Sequence, residues 1–294
     1  MSNSTTELLR KINGAQNLQS VVSTMKAISA TSIGQYEKSV HALATYYATI
    51  EQGLGACLRL IPFSLGQEQT KKAESLRGAV IFGSDMGLVG QFNDAIVDYA
   101  LQTLKPFPHT AFWAVGEHVY GRLMQAGQQP RGRISVPNSI SAITSLVGQI
   151  LMQTELHQGH NKFSEFYLFC NRPALGISYQ PVGQKLLPLD ESWRANLTKY
   201  PWPTKNLPEI MNSTSETLRA LIREYLFVSL YRASAESLAS EHASRLASMQ
   251  RADKNITELL AELNQKYHHL RQSSIDEELF DVISSFEALP QKGT

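Results

Sequence analysis

Residues 79–94 read AVIFGSDMGLVGQFND, a short apolar run followed by a turn with glycine at positions 83, 87 and 90. A strand that ends in a glycine-rich turn and opens a helix is a place where main-chain NH groups and the helix dipole favour a phosphate. The spacing here is G-x-x-x-G-x-x-G, not G-x-G-x-x-G, and no Gly-Lys-Ser/Thr follows to reach phosphates and magnesium. Gly83, Gly87 and Gly90 therefore read as a tight structural turn, because glycine takes positive φ without steric cost.

Outward from that turn, residues 76–205 alternate short apolar runs with helical stretches. GAVIF, TAFWAV, RISVP, EFYLFC and SYQPV are strand candidates; FNDAIVDYALQTL, GEHVYGRLMQAG and SISAITSLVGQILMQTEL have helical spacing and length. Such alternation predicts an α/β layer structure with a largely parallel, Rossmann-like sheet. ESWRANLTKYPWPTKNLPE reads as an irregular connection out of it.

The flanks are of another kind. Of the twelve prolines, all but Pro290 lie between Pro62 and Pro208, and no glycine occurs from Gln184 to Lys292. Residues 1–60 and 209–289 are thus free to form two very long helices. Stepping by four and three from Leu8 to Cys57 gives a seam that is apolar except at Gln19, Lys26 and Ser29; a second seam runs from Leu221 to Leu270. This is the 3.5-residue period of a coiled coil, and two seams in one chain pair most simply with each other, antiparallel. Around the polar positions the apolar stripe moves to Leu18, Val21, Met25 and Ile28, which predicts a local change of face. At 1.5 Å per residue the first helix would be roughly 80 Å long and the second roughly 115 Å, so one end must overhang or bend. Ile275, Leu279, Val282, Ile283, Phe286 and Leu289 form an apolar stripe at that end, and uncovered apolar surface of this kind implies a socket on another protein.

Composition excludes several classes. With 27 basic and 26 acidic residues the formal charge is +1, so no net field attracts nucleic acid or anionic lipid. Cys57 and Cys170 form neither a disulfide framework nor a zinc motif. No apolar stretch is long enough to span a bilayer and no leader precedes the first helix, so the expectation is a cytoplasmic chain without cofactor or metal. His268 and His269 point about 100° apart on a helix, and Asp276, Glu277, Glu278 and Asp281 read as an acidic surface, not an acid/base pair.

Three stretches resemble the gamma subunit of F-type ATP synthases: TMKAISATS (24–32), GSDMGLVGQFN (83–93) and, most specifically, SLYRASAESLASEHASRLASMQRADKNITELL (229–260). The end, RQSSIDEELFDVISSFEAL, is similar to that family's C-terminus. The resemblance covers essentially the whole chain. It implies a non-catalytic rotor stalk whose paired helices turn inside a ring of alpha and beta subunits while the α/β insert rests beside epsilon on a membrane c ring. It also implies peripheral attachment to the cytoplasmic face of a bacterial inner membrane, through the complex alone. Carried over residue by residue, Met25, Lys26, Arg245, Gln272 and Glu278 match positions that face the alpha/beta ring, and Asp276 stands at a related position where the family has threonine. Met86, Val89 and Gln91 in the turn, and Ser285 and Phe286 near the end, depart from the common pattern and resemble the N-type branch of bacterial ion-translocating enzymes. Two other readings stay open on the residues alone: a nucleotide-dependent enzyme with its site in the insert, and a generic coiled-coil adaptor with an α/β head.

Overall fold

The computed structural model describes residues 2–60, 76–107, 109–154, 163–174, 177–189, 191–199, 202, 204–206, 208–210 and 213–287. In chain order the elements are α1 (Ser2–Leu60), β1 (Arg77–Phe82), α2 (Phe92–Leu104), β2 (Thr110–Val115), α3 (Glu117–Gln125), β3 (Gly132–Ile134), α4 (Ile140–Thr154), β4 (Glu165–Ala174), β5 (Ile177–Leu187), α5 (Glu191–Lys199) and α6 (Thr214–Glu287). They form two compact units, Ser29–Arg245 and the pair of segments Met1–Ile28 with Leu246–Thr294.

The larger unit is organised around a five-stranded sheet in the order β3-β2-β1-β4-β5. β1 pairs parallel with β2 and with β4, β2 pairs parallel with β3, and β5 closes the edge antiparallel to β4. Side chains alternate across a strand, so β1 sends Val80 and Phe82 to one face and Ala79 and Ile81 to the other. The second face is covered by α2 and α3 through Ile96, Val97, Ala100, Val119 and Leu123. The first is covered by α4 through Ile143, Val147 and Ile150 and by α6 through Leu226, Leu230 and Leu238. Helices on both faces explain why the central strands are continuous apolar runs.

Within this unit α6 touches the sheet on one side and α1 on another. Tyr36 of α1 stacks on His242 with ring centroids 5.7 Å apart, and Ser39 Oγ lies 3.3 Å from the Tyr231 hydroxyl. A helix sandwiched in this way needs small side chains. Ser229, Ala233, Ser234, Ala235, Ser237, Ala239, Ser240 and Ser244 are all buried, and their short stems let neighbours approach on both sides. The segment read as an irregular connection contains a helix: α5 packs Trp193 and Leu197 against Leu54, Tyr225 and Val228. Its two large apolar residues, four apart, give one turn of contact, too short a period to register as helix from sequence.

The smaller unit is an antiparallel helix pair. Ala15 and Val22 pack on Met249 and Ile256, with Met25 and Leu260 alongside. The 3.5-residue seam of α1 runs without a break: each of its positions from Leu8 to Cys57 is buried or half-buried. The expected change of face therefore does not occur. Leu18, Val21 and Ile28 are 54%, 56% and 58% exposed, and the polar residues keep their inward places because the opposite seam matches them. Gln19 Nε2 donates to Thr257 Oγ1 at 3.2 Å, and Lys26 Nζ meets Asp253 Oδ2 at 2.6 Å.

Candidate functional site

In an open α/β sheet a ligand is expected at the carboxyl ends of the strands where the strand order reverses, here beside the turn that follows β1. The turn is committed to the chain's own groups. Asn93 accepts the Ser84 backbone N–H at 3.0 Å through Oδ1 and donates to Ser84 Oγ at 2.9 Å through Nδ2. Asp85 accepts from the backbone N–H of Glu117 at 2.9 Å and of Val136 at 2.7 Å, so its carboxylate sits where it complements the first turn of α3. Ser244 Oγ on α6 donates to the Val89 carbonyl at 2.6 Å. The turn is a joint between β1, α3 and α6.

Its glycines have distinct reasons. A Cβ on Gly83 would lie 2.1 Å from Val119 Cγ2, a close approach only glycine permits, and Gly90 has φ +60°. Gly87 meets nothing nearer than His118 at 3.7 Å. Leu88 takes positive φ (64°) in its place and is exposed.

Arg245 lies next to this turn and within the chain's interior. Its Nη2 binds Glu241 Oε1 at 2.6 Å and reaches the Met86 carbonyl at 3.4 Å, and both side chains of the ion pair are 7% exposed. Within this unit, then, Arg245 is buried and engaged with Glu241 and the Met86 carbonyl. Burial raises the Glu241 carboxyl above the usual range, with the Arg245 charge opposing it. Burial, then the Arg245 charge, lowers His242 to about 4, so its imidazole is neutral at physiological pH.

In the smaller unit the residues singled out from sequence remain accessible. Lys26 is half-buried in its pair with Asp253, whose carboxyl is held below its usual range first by the hydrogen bond from Lys26. Met25 is partly buried beside that pair, and Gln272, Asp276 and Glu278 are exposed on α6. Around them Ile275, Leu279, Phe280, Val282 and Ile283 are between 45% and 67% exposed; Leu289 and the side chain of Phe286 lie outside the described residues. Asp253, Ser244 and Asp85 escaped the sequence reading. Asp253 could have been found by laying the two seams antiparallel and looking for polar positions that face each other.

The described residues hold no group of three or more His, Cys, Asp or Glu side chains able to hold a metal ion, and no helix among them is long and apolar enough to cross a membrane.

A protein-family model described as ATP synthase matches residues 4–289. The ATP synthase gamma chain of Dechloromonas aromatica is 22% identical over 96% of this chain and 98% of its own length. That of Glaesserella parasuis serovar 5 is 26% identical over 96% and 98%. Among solved structures, a chain of the Euglena gracilis mitochondrial ATP synthase in rotational state 3 superposes with a TM-score of 0.66 at 16% identity, covering 100% of this chain and 99% of that one. A chain of the rotor of the same enzyme in rotational state 1 gives 0.63 at 17% identity, covering 94% and 100%. At such identities the structural likeness speaks for the fold.

Proposed function

Since the chain belongs to the ATP synthase family, whose model spans residues 4–289, we infer that it is the gamma subunit of a rotary F-type enzyme. It is a non-catalytic central stalk that carries torque between a membrane c ring and the alpha/beta hexamer, whose beta subunits hold the nucleotide sites. The observation that carries this reading is the near-complete match to gamma chains, over 96% of this chain and 98% of the Dechloromonas aromatica protein. A single helix pair with one sided seams and unequal ends supports it physically: its surface differs at every orientation, so each angular position favours a different conformation of surrounding subunits. Epsilon and the c ring are the expected neighbours of the α/β unit. Attachment to the membrane is peripheral and through the complex, on the cytoplasmic face of a bacterial inner membrane.

Met25, Lys26, Gln272, Asp276 and Glu278 are the ring-facing residues in this reading. Support comes from their accessibility and from the exposed apolar stripe of Ile275, Leu279, Val282 and Ile283 that surrounds the last three. The departures at Met86, Val89, Gln91 and Asp276 favour the N-type branch, which the genes adjoining this one would test.

The test is co-expression with the candidate alpha and beta subunits, followed by purification and an ATPase assay with and without this chain. One copy joining the ring, with a gain of cooperative hydrolysis, is the expected result. A chain that purifies alone, ignores both subunits and binds ATP would overturn the inference.

A further inference from the structure

The carboxylate of Asp85 spans the ends of three strands. It stands just beyond β1. Its Oδ1 accepts the N–H of Glu117, which opens α3 after β2, at 2.9 Å, and its Oδ2 accepts the N–H of Val136, just after β3, at 2.7 Å. Main-chain bonds join only neighbouring ends: Gly83 N–H donates to the Val115 carbonyl at 2.8 Å and Gly116 N–H to the Ile134 carbonyl at 2.9 Å. Asp85 reaches past its neighbour to β3, an edge strand of three residues whose one partner in the sheet is β2. The residue is exposed. Water can replace an exposed acceptor on either N–H, so bonds of this kind add little net stability. What they fix is the position of one loop against two others.

The other side of the same turn is tied to α6. Ser244 Oγ donates to the Val89 carbonyl at 2.6 Å, and Arg245 Nη2 donates to the Met86 carbonyl at 3.4 Å. Arg245 is the last residue of α6 within the larger unit. The Asp85 charge is felt beside it: burial raises the Glu241 carboxyl, Arg245 opposes the rise, and Asp85 adds to it. The bonds thus run in series, from the loops after β2 and β3 through Asp85 to the turn, and from the turn to α6.

We propose that Asp85 is a positioning residue for torque transfer, holding the turn after β1 to the loops after β2 and β3 so that the sheet's edge and the exit of α6 move together. This role rests on the stalk reading above. The motion it restrains is a tilt of α6 away from the strand ends, which matters when the stalk works against a load.

Asp85→Asn keeps the size, but an amide has a single acceptor oxygen, so one of the two N–H groups loses its partner. Hydrogen exchange of the full-length chain, resolved by residue, is the first readout. The Glu117 or Val136 amide should exchange about tenfold faster, the range for a hydrogen bond to a charged group, and the Ser244 and Arg245 amides should speed up with it. A merely local role would leave those two unchanged. In the complex assembled with alpha and beta subunits and the c ring, ATP hydrolysis without an ion gradient should match the parent, while ions moved per ATP fall against an opposing gradient. Ser244→Ala should give the same loss, and the double variant should be no worse than the worse single one, because a series of links is broken only once. If Asp85→Asn does not assemble, Ser244→Ala and the exchange data decide. The proposal is overturned if exchange at Ser244 and Arg245 is unchanged, if transport against the gradient equals the parent's, or if the two losses add. A parent chain that does not join the alpha and beta subunits removes the stalk reading and this proposal with it; a parent that joins and pumps, with Asp85→Asn doing the same, removes the proposal alone.

Discussion

Removing the Arg245 guanidinium gives a stability loss whose ceiling can be worked out. The pair with Glu241 is 2.6 Å long and 7% exposed on each side, and breaking a buried pair from one end typically costs about 3–5 kcal/mol. Glu241 has an escape, because it can take up a proton. At pH 7 that costs about 1.36 × (7 − 4.5), or about 3.4 kcal/mol, taking 4.5 as the ordinary carboxyl value. Arg245→Met should therefore destabilise the larger unit by up to about 3 kcal/mol at pH 7, and by less as the pH falls, the change being at most about 1.4 kcal/mol per pH unit because burial already raises Glu241 in the parent. The sign follows from linkage: the unpaired Glu241 has a folded pKa above its unfolded one, so the native state gains as pH falls. Glu241→Gln added to Arg245→Met should recover much of the loss at pH 7. Urea unfolding followed by tryptophan emission is suited to this, because Trp113, Trp193 and Trp202, the chain's 3 tryptophans, all lie within Ser29–Arg245. A loss under about 1 kcal/mol, or one that does not change between pH 7 and 5.5, refutes the argument. Arg245→Glu is a poor probe of coupling in an assembled enzyme, since it places a second carboxylate beside Glu241 and attacks the fold first.

Lys26 discriminates better. Lys26→Glu should weaken coupling between ATP hydrolysis and ion flow in the assembled complex; if Lys26→Glu with Asp253→Lys restores it fully, the residue acts only through its partner on α6. His242, lowered to about 4 by burial and Arg245, is neutral when folded and protonates when unfolded. It should cost the fold stability as pH falls from 6.5 towards 4, so in urea titrations His242→Phe should lose less than the parent over that window. Ile275→Ser with Leu279→Ser and Ile283→Ser changes side chains that are 53%, 57% and 45% exposed. Thermal melting of the isolated chain should stay within about 2 °C, while recovery of the alpha/beta complex on an affinity resin falls. In the turn, Gly83→Ala should destabilise by about 1–3 kcal/mol through overpacking on Val119, whereas Gly87→Ala should be near neutral by the same urea titration.

The long helices and the α/β alternation were legible because each rests on a strong local signal: absence of proline, a 3.5-residue seam, and strands bounded by turns. α2 falls on the stretch read from its spacing, Phe92–Leu104. What was not legible depends on pairs of distant segments. Lys26 reads as an interruption when α1 is considered alone and as half of an ion pair once Asp253 lies opposite. α5 owes its helix to Leu54 and Tyr225, residues far away in sequence. The turn's glycines were read as one motif, yet only the space around each distinguishes Gly83 from Gly87. Burial of Arg245 depends on the serines and alanines of α6 being small enough for the turn after β1 to close over them, a tertiary fact with no signature in a helical period.

That run of small residues on α6 between Ser229 and Ser244 has a mechanical consequence. A helix enclosed on several sides cannot rotate about its own axis without driving every short side chain into a neighbour; it behaves as a splined rod seated in its hub. Deleting one residue inside the run would turn everything after it by about 100° and put Glu241 or Arg245 where a serine has to fit. The sheet and α6 within the larger unit therefore share one angular setting, and load applied to either reaches the other without slip.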